Sequence, residues 1–530
     1  MRRWNGWGDD AEQTELKQEA RDMLNELVGR SEPPLDAGLQ DLLAKVPASR
    51  LPKHKLISTD AEQRLRHSVG QSFPDWLRLR YGKLDRYPDG VAFPEDNKQV
   101  QELLSFCSEQ NIRVIPYGGG TSVVGHLTPP EGEQPVLSID LSRLNKVLSV
   151  NRDSQIAHIQ AGASGEELEK QLEAQGYVLG HFPQSWEYST VGGWVVTRSS
   201  GQQSLRYGRI ENMFAGGTME TPTGQINIPA IPATGAGTDV REMVLGSEGR
   251  AGILTDCLMR VTPKPEHESF HAVFFPSWEQ AMNAVQRAAQ AKLPLSMMRL
   301  SNPVETMTNL TMAGGGQMIK VLQRYLGIRG ATEEKVMLLF GVTGRRADCE
   351  FARLQMLRLC KPESGVYTGT FVGKAWEKKR YHGPYLRNTL WDSGYAADTS
   401  ETCFNWDQVT PGMNAIEEAT RGALAEFGEK VHNFTHLSHV YPQGSSVYST
   451  YIWRGGQSFE EDFARWQKIK SAVSEAILAH GGTISHQHGV GTDHAPYLAP
   501  EKSERGLQAM RDMFAGFDPN GIMNPGKLVV

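Results

Sequence analysis

Cysteine is scarce in this 530-residue sequence: Cys107, Cys257, Cys349, Cys360 and Cys403 are odd in number and scattered. No two form a Cys-x-x-Cys pair, which excludes a disulfide framework and a zinc knuckle and points to a reducing compartment. No apolar run approaches the ~18 residues of a membrane span. Neither charge sign dominates. A net charge of −6 gives no strong pull on nucleic acid, so no nucleic-acid partner is expected. Behind Met1-Arg2-Arg3-Trp4 there is no apolar core, so the start does not read as a signal peptide. The end, Lys527-Leu528-Val529-Val530, is not a peroxisomal tail. The expected location is therefore cytoplasmic. Repeats and low-complexity tracts are absent. Two phosphate-binding signatures are missing as well, GxGxxG and GxxxxGK[ST].

What the sequence does have is a glycine-rich turn at the end of a βαβ pattern. Val91, Phe93 and Pro94 read as a short strand. Val100, Leu103, Leu104 and Cys107 recur at helical spacing, and Ile112 to Ile115 read as a second strand. Then comes Pro116-Tyr117-Gly118-Gly119-Gly120-Thr121-Ser122. Glycines let backbone approach a ligand closely and present consecutive N–H groups, which suits an anion such as a pyrophosphate.

The chain divides by pattern. Residues 1–85 read as a polar helical segment, with a stripe at Leu16, Ala20, Met23, Leu24 and Leu27 and a terminal anchor in Trp4-Asn5-Gly6-Trp7-Gly8. Residues 86–265 alternate strands and helices. Ile156 to Gln160 alternates as a strand does, and Ser164 and Glu167 predict a capping box. Residues 266–470 restart the pattern as a second α+β domain, with strands at Phe270–Phe275, Val336–Val342 and Val447–Trp453 and helices at Ser277–Ala291 and Phe459–His480. Met312 to Gly316 reads as a loop within it. Residues 471–530 are expected to be a C-terminal segment that completes the active site and the FAD domain, turn-rich from Phe517 to Lys527.

Four segments taken together carry a family likeness. Pro116 to Ser122, Ser189-Thr190-Val191-Gly192-Gly193-Trp194, Gly246-Ser247-Glu248-Gly249-Arg250-Ala251-Gly252 and Asn524-Pro525-Gly526-Lys527 occur in this order. As a set they resemble the FAD-binding domain of the vanillyl-alcohol-oxidase/p-cresol-methylhydroxylase type of flavoprotein. The fold implied is α+β, an FAD-binding domain with an α+β cap for substrate. Within that superfamily, Arg3 to Gly8, Gly180-His181 with Glu187 to Trp194, and Ser485-His486-Gln487-His488-Gly489-Val490-Gly491 resemble the alkyldihydroxyacetonephosphate synthase family. The resemblance implies exchange of the acyl group of acyl-dihydroxyacetone phosphate for a fatty alcohol, through an adduct at flavin N5, in ether lipid synthesis. It also implies FAD as cofactor, lipid-like substrates, peripheral contact with a membrane surface, and room for a homodimer. Two departures stand out. Gln487 replaces the middle of three family histidines, and GSEGRAG replaces GSEGTLG, which sets Arg250 and Ala251 beside the flavin.

The resemblance assigns roles by position. Tyr448 matches the base that removes the substrate proton. That role requires cationic neighbours to lower its pKa from ~10. His486 and His488, two apart, would share one face of a strand and handle protons or an oxyanion. Arg387 and Arg299 match arginines of substrate binding, where a planar guanidinium suits a phosphate. Pro116, Tyr117, Gly118, Gly119, Gly120, Thr121 and Ser122 form the pyrophosphate cradle. Gln184, Ser185, Trp186, Glu187, Tyr188, Ser189, Thr190, Thr197, Arg198, Ser199, Ser200, Glu248, Gly249, Arg250, Ala251, Gly252, Ile253 and Leu254 line the rest of FAD. No attachment position falls at His126, so FAD is expected to be held non-covalently. The alternative is an FAD-dependent 2-hydroxyacid dehydrogenase or oxidase of the same superfamily, whose relatives hold a metal through HxGDGNxH and Glu-His-Gly. Here His439 to Tyr448 lacks Asp-Gly-Asn and the second histidine, and Gln487 stands where the acid would be, so no metal is expected.

Overall fold

The computed structural model describes residues 2–12, 15–312 and 317–529. The glycines of the expected Met312–Gly316 loop lie outside the described residues. Two sheets build the cofactor half. One runs Ile57–Ser58, Gly90–Ala92, Val136–Asp140, Arg113–Tyr117, with the last three strands parallel. The parallel pairing needs a crossover, and helix Asn97–Glu109 supplies it, capped by Asp96 and burying Val100, Leu103, Leu104 and Cys107. The other sheet is antiparallel, Val147–Asn151, Ile156–Gln160, Ile253–Arg260, Phe214–Thr221, Gly224–Ile228.

The cap is a seven-stranded antiparallel sheet in the order Val366–Tyr367, His267–Phe275, Val336–Gly344, Met297–Ser301, Val431–Leu437, Gly444–Arg454, Tyr395–Asn405. Side chains alternate across it. Val273, Phe275, Leu338, Phe340, Leu300, Val447, Tyr451 and Trp453 pack under helices Trp278–Gln290, Arg346–Cys360, Trp406–Ala423 and Phe459–Ala479. The opposite face turns toward the cofactor half. Along the three adjacent strands of that face stand Phe434 and His436, Tyr448, Thr450 and Ile452, and Ala397 and Thr399.

The two ends of the chain tie the halves together. Helix Phe73–Arg80 buries Phe73, Trp76 and Leu77 in the cap core. The C-terminal segment returns to the first sheet, where the Val114 N–H donates to Ile522 O and the Asn524 N–H to Val114 O, both at 2.8 Å. Two local expectations change. Ser164 Oγ accepts no backbone N–H of the helix it precedes; it donates to the Glu167 side chain, to Oε2 at 3.3 Å, instead. The stripe of the first helix buries only Ala20 and Leu24 within Gln18–Leu27.

Candidate active site

A cleft of about 480 Å³ lies between the glycine loop and the free face of the cap sheet. Its floor is Pro116 to Ser122. A Cβ at Gly119 would stand 1.8 Å from the Tyr188 carbonyl oxygen, and one at Gly118 would stand 2.5 Å from Thr190 Oγ1. Only bare backbone can follow this path, so the loop fits a pyrophosphate-linked cofactor. Gln184, Ser185, Ser189, Thr190, Thr197, Ser199, Glu248, Gly249, Gly252, Ile253 and Leu254 line the same cleft, as do Arg299, Arg387, Tyr448 and His488. Glu248 joins two of these walls. Its carboxylate accepts the Val490 and Gly491 N–H groups at 2.6 and 2.8 Å and lies 2.8 Å from His126 Nε2. His126 Nδ1 meets Ser122 Oγ at 2.7 Å, so both ring nitrogens are engaged within the protein.

Eight sequence-assigned residues do not line the cleft. Trp186 stacks on Tyr381, with ring centroids 4.8 Å apart. Glu187 accepts from the Tyr385 hydroxyl at 3.0 Å, and Tyr188 contacts that hydroxyl at 3.3 Å. Arg198 takes the left-handed turn ending helix Val191–Thr197 and pairs with Glu242. Ser200 faces His439. Arg250 reaches the carbonyls of Met523 and Asn524 and so braces the C-terminal segment, while Ala251 is buried in the core. Neither lies beside the cofactor cleft, because the turn through Glu248 (φ +52) and Gly249 (φ +79) directs them away.

The eighth is His486. No strand forms at 481–494, so the two-residue spacing does not align the side chains: His486 is buried beside Glu401, and His488 lines the cleft. His488 sits edge-on to Tyr448, with centroids 6.0 Å apart. His486 is buried in a cluster the sequence did not reveal, where Glu401, His439 and His486 bring their ligating atoms within 4.8 Å. Arg209 Nη1 donates to His486 Nε2 at 2.7 Å. Arginine only donates, so a neutral His486 carries its proton on Nδ1, 3.5 Å from Glu401 Oε1. The lone pair a metal would need there is occupied by a proton. Burial raises the Glu401 carboxyl, but the His486 hydrogen bond and nearby His439 and His488 outweigh it and hold it well below the usual range. The cluster is an acid–imidazole network. Gln487 belongs to it too, its amide donating to Glu401 while its carbonyl accepts the Ser200 N–H at 3.2 Å.

Electrostatics separate the two arginines. Arg299 Nη2 is committed to Glu305 Oε1 at 2.6 Å. Arg387 has no carboxylate partner among the described residues. It donates to Gln71 O at 2.6 Å and lies over Trp76 at 4.4 Å, while Nε and Nη2 are buried without a partner. Burial pulls its pKa down to about 10. Tyr448 differs from expectation. Burial outweighs Arg299 and pushes its phenol up to about 12. Residues the sequence reading missed include His436, Glu305, Phe434, Thr399 and Met312. Trp7, read as an anchor, is one: Asn388 bonds its backbone N–H at 3.1 Å and its carbonyl at 2.8 Å, and the residue also lines the cleft.

A family model for the FAD binding domain matches residues 88–228, and one for FAD linked oxidases, C-terminal domain, matches 264–528. The chain is 32% identical over 480 residues to alkyldihydroxyacetonephosphate synthase of Dictyostelium discoideum, covering 89% of this chain and 78% of that one. The chain belongs to the alkyldihydroxyacetonephosphate synthase family of FAD-linked oxidases. The Trypanosoma brucei brucei synthase is 31% identical over 482 residues, with the same coverage. A solved alkyldihydroxyacetonephosphate synthase superposes with a TM-score of 0.84 at 28% identity over 99% of both chains. The fold is thus the vanillyl-alcohol-oxidase type, and FAD is the cofactor.

Proposed function

We propose that this family member acts as an FAD-dependent alkyldihydroxyacetonephosphate synthase, exchanging the acyl group of acyl-dihydroxyacetone phosphate for a fatty alcohol. The observation that carries this reading is Arg387. A buried guanidinium without a counter-ion is unfavourable unless an anion joins it, and a phosphate is the anion its planar fork fits. Beyond it the cleft becomes apolar, through Leu386, Leu390, Phe434, Ile452 and Ala397, which suits an alkyl chain.

The glycine loop Pro116–Ser122 and the walls around it would hold FAD, which would supply an electrophilic ring for the substrate carbon. The chain's residues do the rest. Arg387 holds the phosphate and so fixes the carbon beside the carbonyl in front of Tyr448. The phenol of Tyr448 is protonated at neutral pH. The phenol must lose its proton before it can take one from the carbon, and Arg299 is the cationic neighbour that favours the phenolate. The test is incubation of the purified flavoprotein with acyl-dihydroxyacetone phosphate and a labelled fatty alcohol. Label in the phosphate-bearing product, with release of fatty acid, supports the reading; oxidation of a 2-hydroxyacid without such exchange overturns it.

The substrates also favour a membrane surface. No described helix is long and apolar enough to cross a membrane. Helix Gln317–Ile328, however, exposes Met318 (60%), Val321 (65%), Tyr325 and Ile328 (79%). Lys320, Arg324 and Arg329 stand among them, and no acidic residue lies between 317 and 329. The preceding helix, Pro303–Met312, lines the cleft through Thr308, Asn309 and Met312. An anionic bilayer surface is the proposed contact. Co-sedimentation with anionic vesicles, lost in Val321→Glu/Ile328→Glu, supports it; complete recovery of wild type in the supernatant refutes it.

A further inference from the structure

The ring beside Tyr448 carries an N–H that no group of the protein accepts. His436, on strand Val431–Leu437, stands directly opposite Tyr448 on Gly444–Arg454, and the rings stack with centroids 4.9 Å apart and 19° between planes. Arg299 Nη2 donates to His436 Nδ1 at 3.1 Å and to Glu305 Oε1 at 2.6 Å, one N–H for each. Glu305 Oε1 lies 3.0 Å from Nδ1, so guanidinium, carboxylate and imidazole meet at one point. Burial and the Arg299 charge outweigh Glu305 and lower the ring's pKa, so the imidazole is neutral at pH 7. Arginine only donates, so Nδ1 is the acceptor and the ring's proton sits on Nε2. That Nε2 is buried, belongs to a cleft-lining residue and has no hydrogen-bond partner among the described residues. Native structures rarely leave a buried donor unpaired unless a ligand or the chemistry completes it.

On the synthase reading above, Tyr448 takes a proton from the carbon between the ester oxygen and the ketone. As that C–H bond breaks, its electron pair forms a C=C bond and the carbonyl π pair moves onto the ketone oxygen. The proton goes to the Tyr448 phenolate, and there is no net redox change. Negative charge therefore develops on an oxygen attached to the very next carbon. We infer that His436 Nε2–H, held in that tautomer by Arg299, is the hydrogen-bond donor that stabilises this enolate oxygen. A neutral imidazole suits the task, because it donates to the developing charge and keeps its own proton. Position supports the assignment. The ketone carbon adjoins the carbon that loses the proton, and His436 adjoins Tyr448 on the sheet. On the other side of Tyr448 stands Glu401, an acceptor already taken by Gln487 and Ser438, so that neighbour offers no donor to an oxyanion.

The test compares His436→Ala and His436→Gln holoenzymes with wild type in two readouts. One is exchange of the substrate C–H with deuterated water. The other is the infrared carbonyl stretch of bound acyl-dihydroxyacetone phosphate labelled with carbon-13 at the ketone. A donor aimed at the oxygen weakens C=O, so the wild-type stretch should lie below that of the free ester and return toward it in His436→Ala. A merely structural role would not move it. Exchange in His436→Ala should fall ~10²–10³-fold, the scale of one lost oxyanion donor, with FAD content unchanged and substrate affinity within ~10-fold. The Gln side chain also ends in an N–H donor, and His436→Gln should recover part of both. Exchange by His436→Ala within ~3-fold of wild type at full FAD content overturns the inference. So does a wild-type carbonyl stretch no lower than that of the free ester, a result that needs no variant to fold. Wild type that neither binds acyl-dihydroxyacetone phosphate nor exchanges its C–H overturns the synthase reading itself, and this assignment with it.

Discussion

Replacing Arg387 by methionine should separate binding from folding. In the ligand-free protein the guanidinium makes one backbone hydrogen bond and lies over Trp76 and Phe73. The bond to a charged group contributes ~1.5–3 kcal/mol and the ring contacts ~1–2 kcal/mol. Against this, a pKa pulled from 12.5 to about 10 by burial corresponds to roughly 3 kcal/mol against the charged form. The terms nearly offset, so Arg387→Met should melt within a few degrees of wild type. Substrate binding should not be spared. Two unpartnered N–H groups that would bond a phosphate contribute ~1.5–3 kcal/mol each, so affinity should fall by ~10²–10⁴-fold. Lysine keeps the charge but not the fork, and Arg387→Lys should lose ~10–100-fold. Scanning fluorimetry gives the melting temperature, and titration of the flavin absorbance with the phosphate ester gives the affinity. A variant that melts more than 10 °C early yet binds normally would show that Arg387 serves the fold and not the substrate.

Tyr448→Phe keeps the ring stacked between His436 and His488 while removing its proton; FAD content and melting should hold and turnover should fall ~100-fold or more. Near-normal alcohol exchange would refute this. EDTA should leave activity unchanged, because the Arg209 hydrogen bond to His486 blocks ligation in the Glu401–His439–His486 cluster; loss restored by zinc or manganese would revive the dehydrogenase alternative. Burial pushes His181 down to about 3. Its unfolded value is ~6.5, so the unfolded chain binds the extra proton. The associated stability is full above pH 6.5 and declines as pH falls toward 3. His181→Gln should therefore gain on wild type in melting temperature between pH 7 and 4; a pH-independent difference would contradict that.

Much of the cofactor half was legible because its signals are local. Three glycines after an apolar strand, then a capping threonine before Gly192-Gly193, are backbone requirements, and a backbone requirement is written residue by residue. Strand alternation in the cap was legible for the same reason. The catalytic wall was not. The bridge Val440–Ser445 sits next to the turn, and extending it back along both strands would set Tyr448 opposite Leu437. One extra residue in the 438–439 bulge shifts the register and sets Tyr448 against His436. Nothing in the local sequence marks that insertion; cross-strand packing chooses it, since it keeps Leu437 and Val447 in the core and His436 in the cleft. His486 and His488 part company because residues 481–494 form no strand, so the alternation that their spacing suggested does not apply. So the sequence by itself determined the cofactor cradle, the family and the charge available at Arg387. Which side chains meet around Tyr448 was decided only by tertiary register, because partners 12 and 143 residues away in sequence, His436 and Glu305, are brought together by strands and a helix whose alignment is a property of the whole sheet.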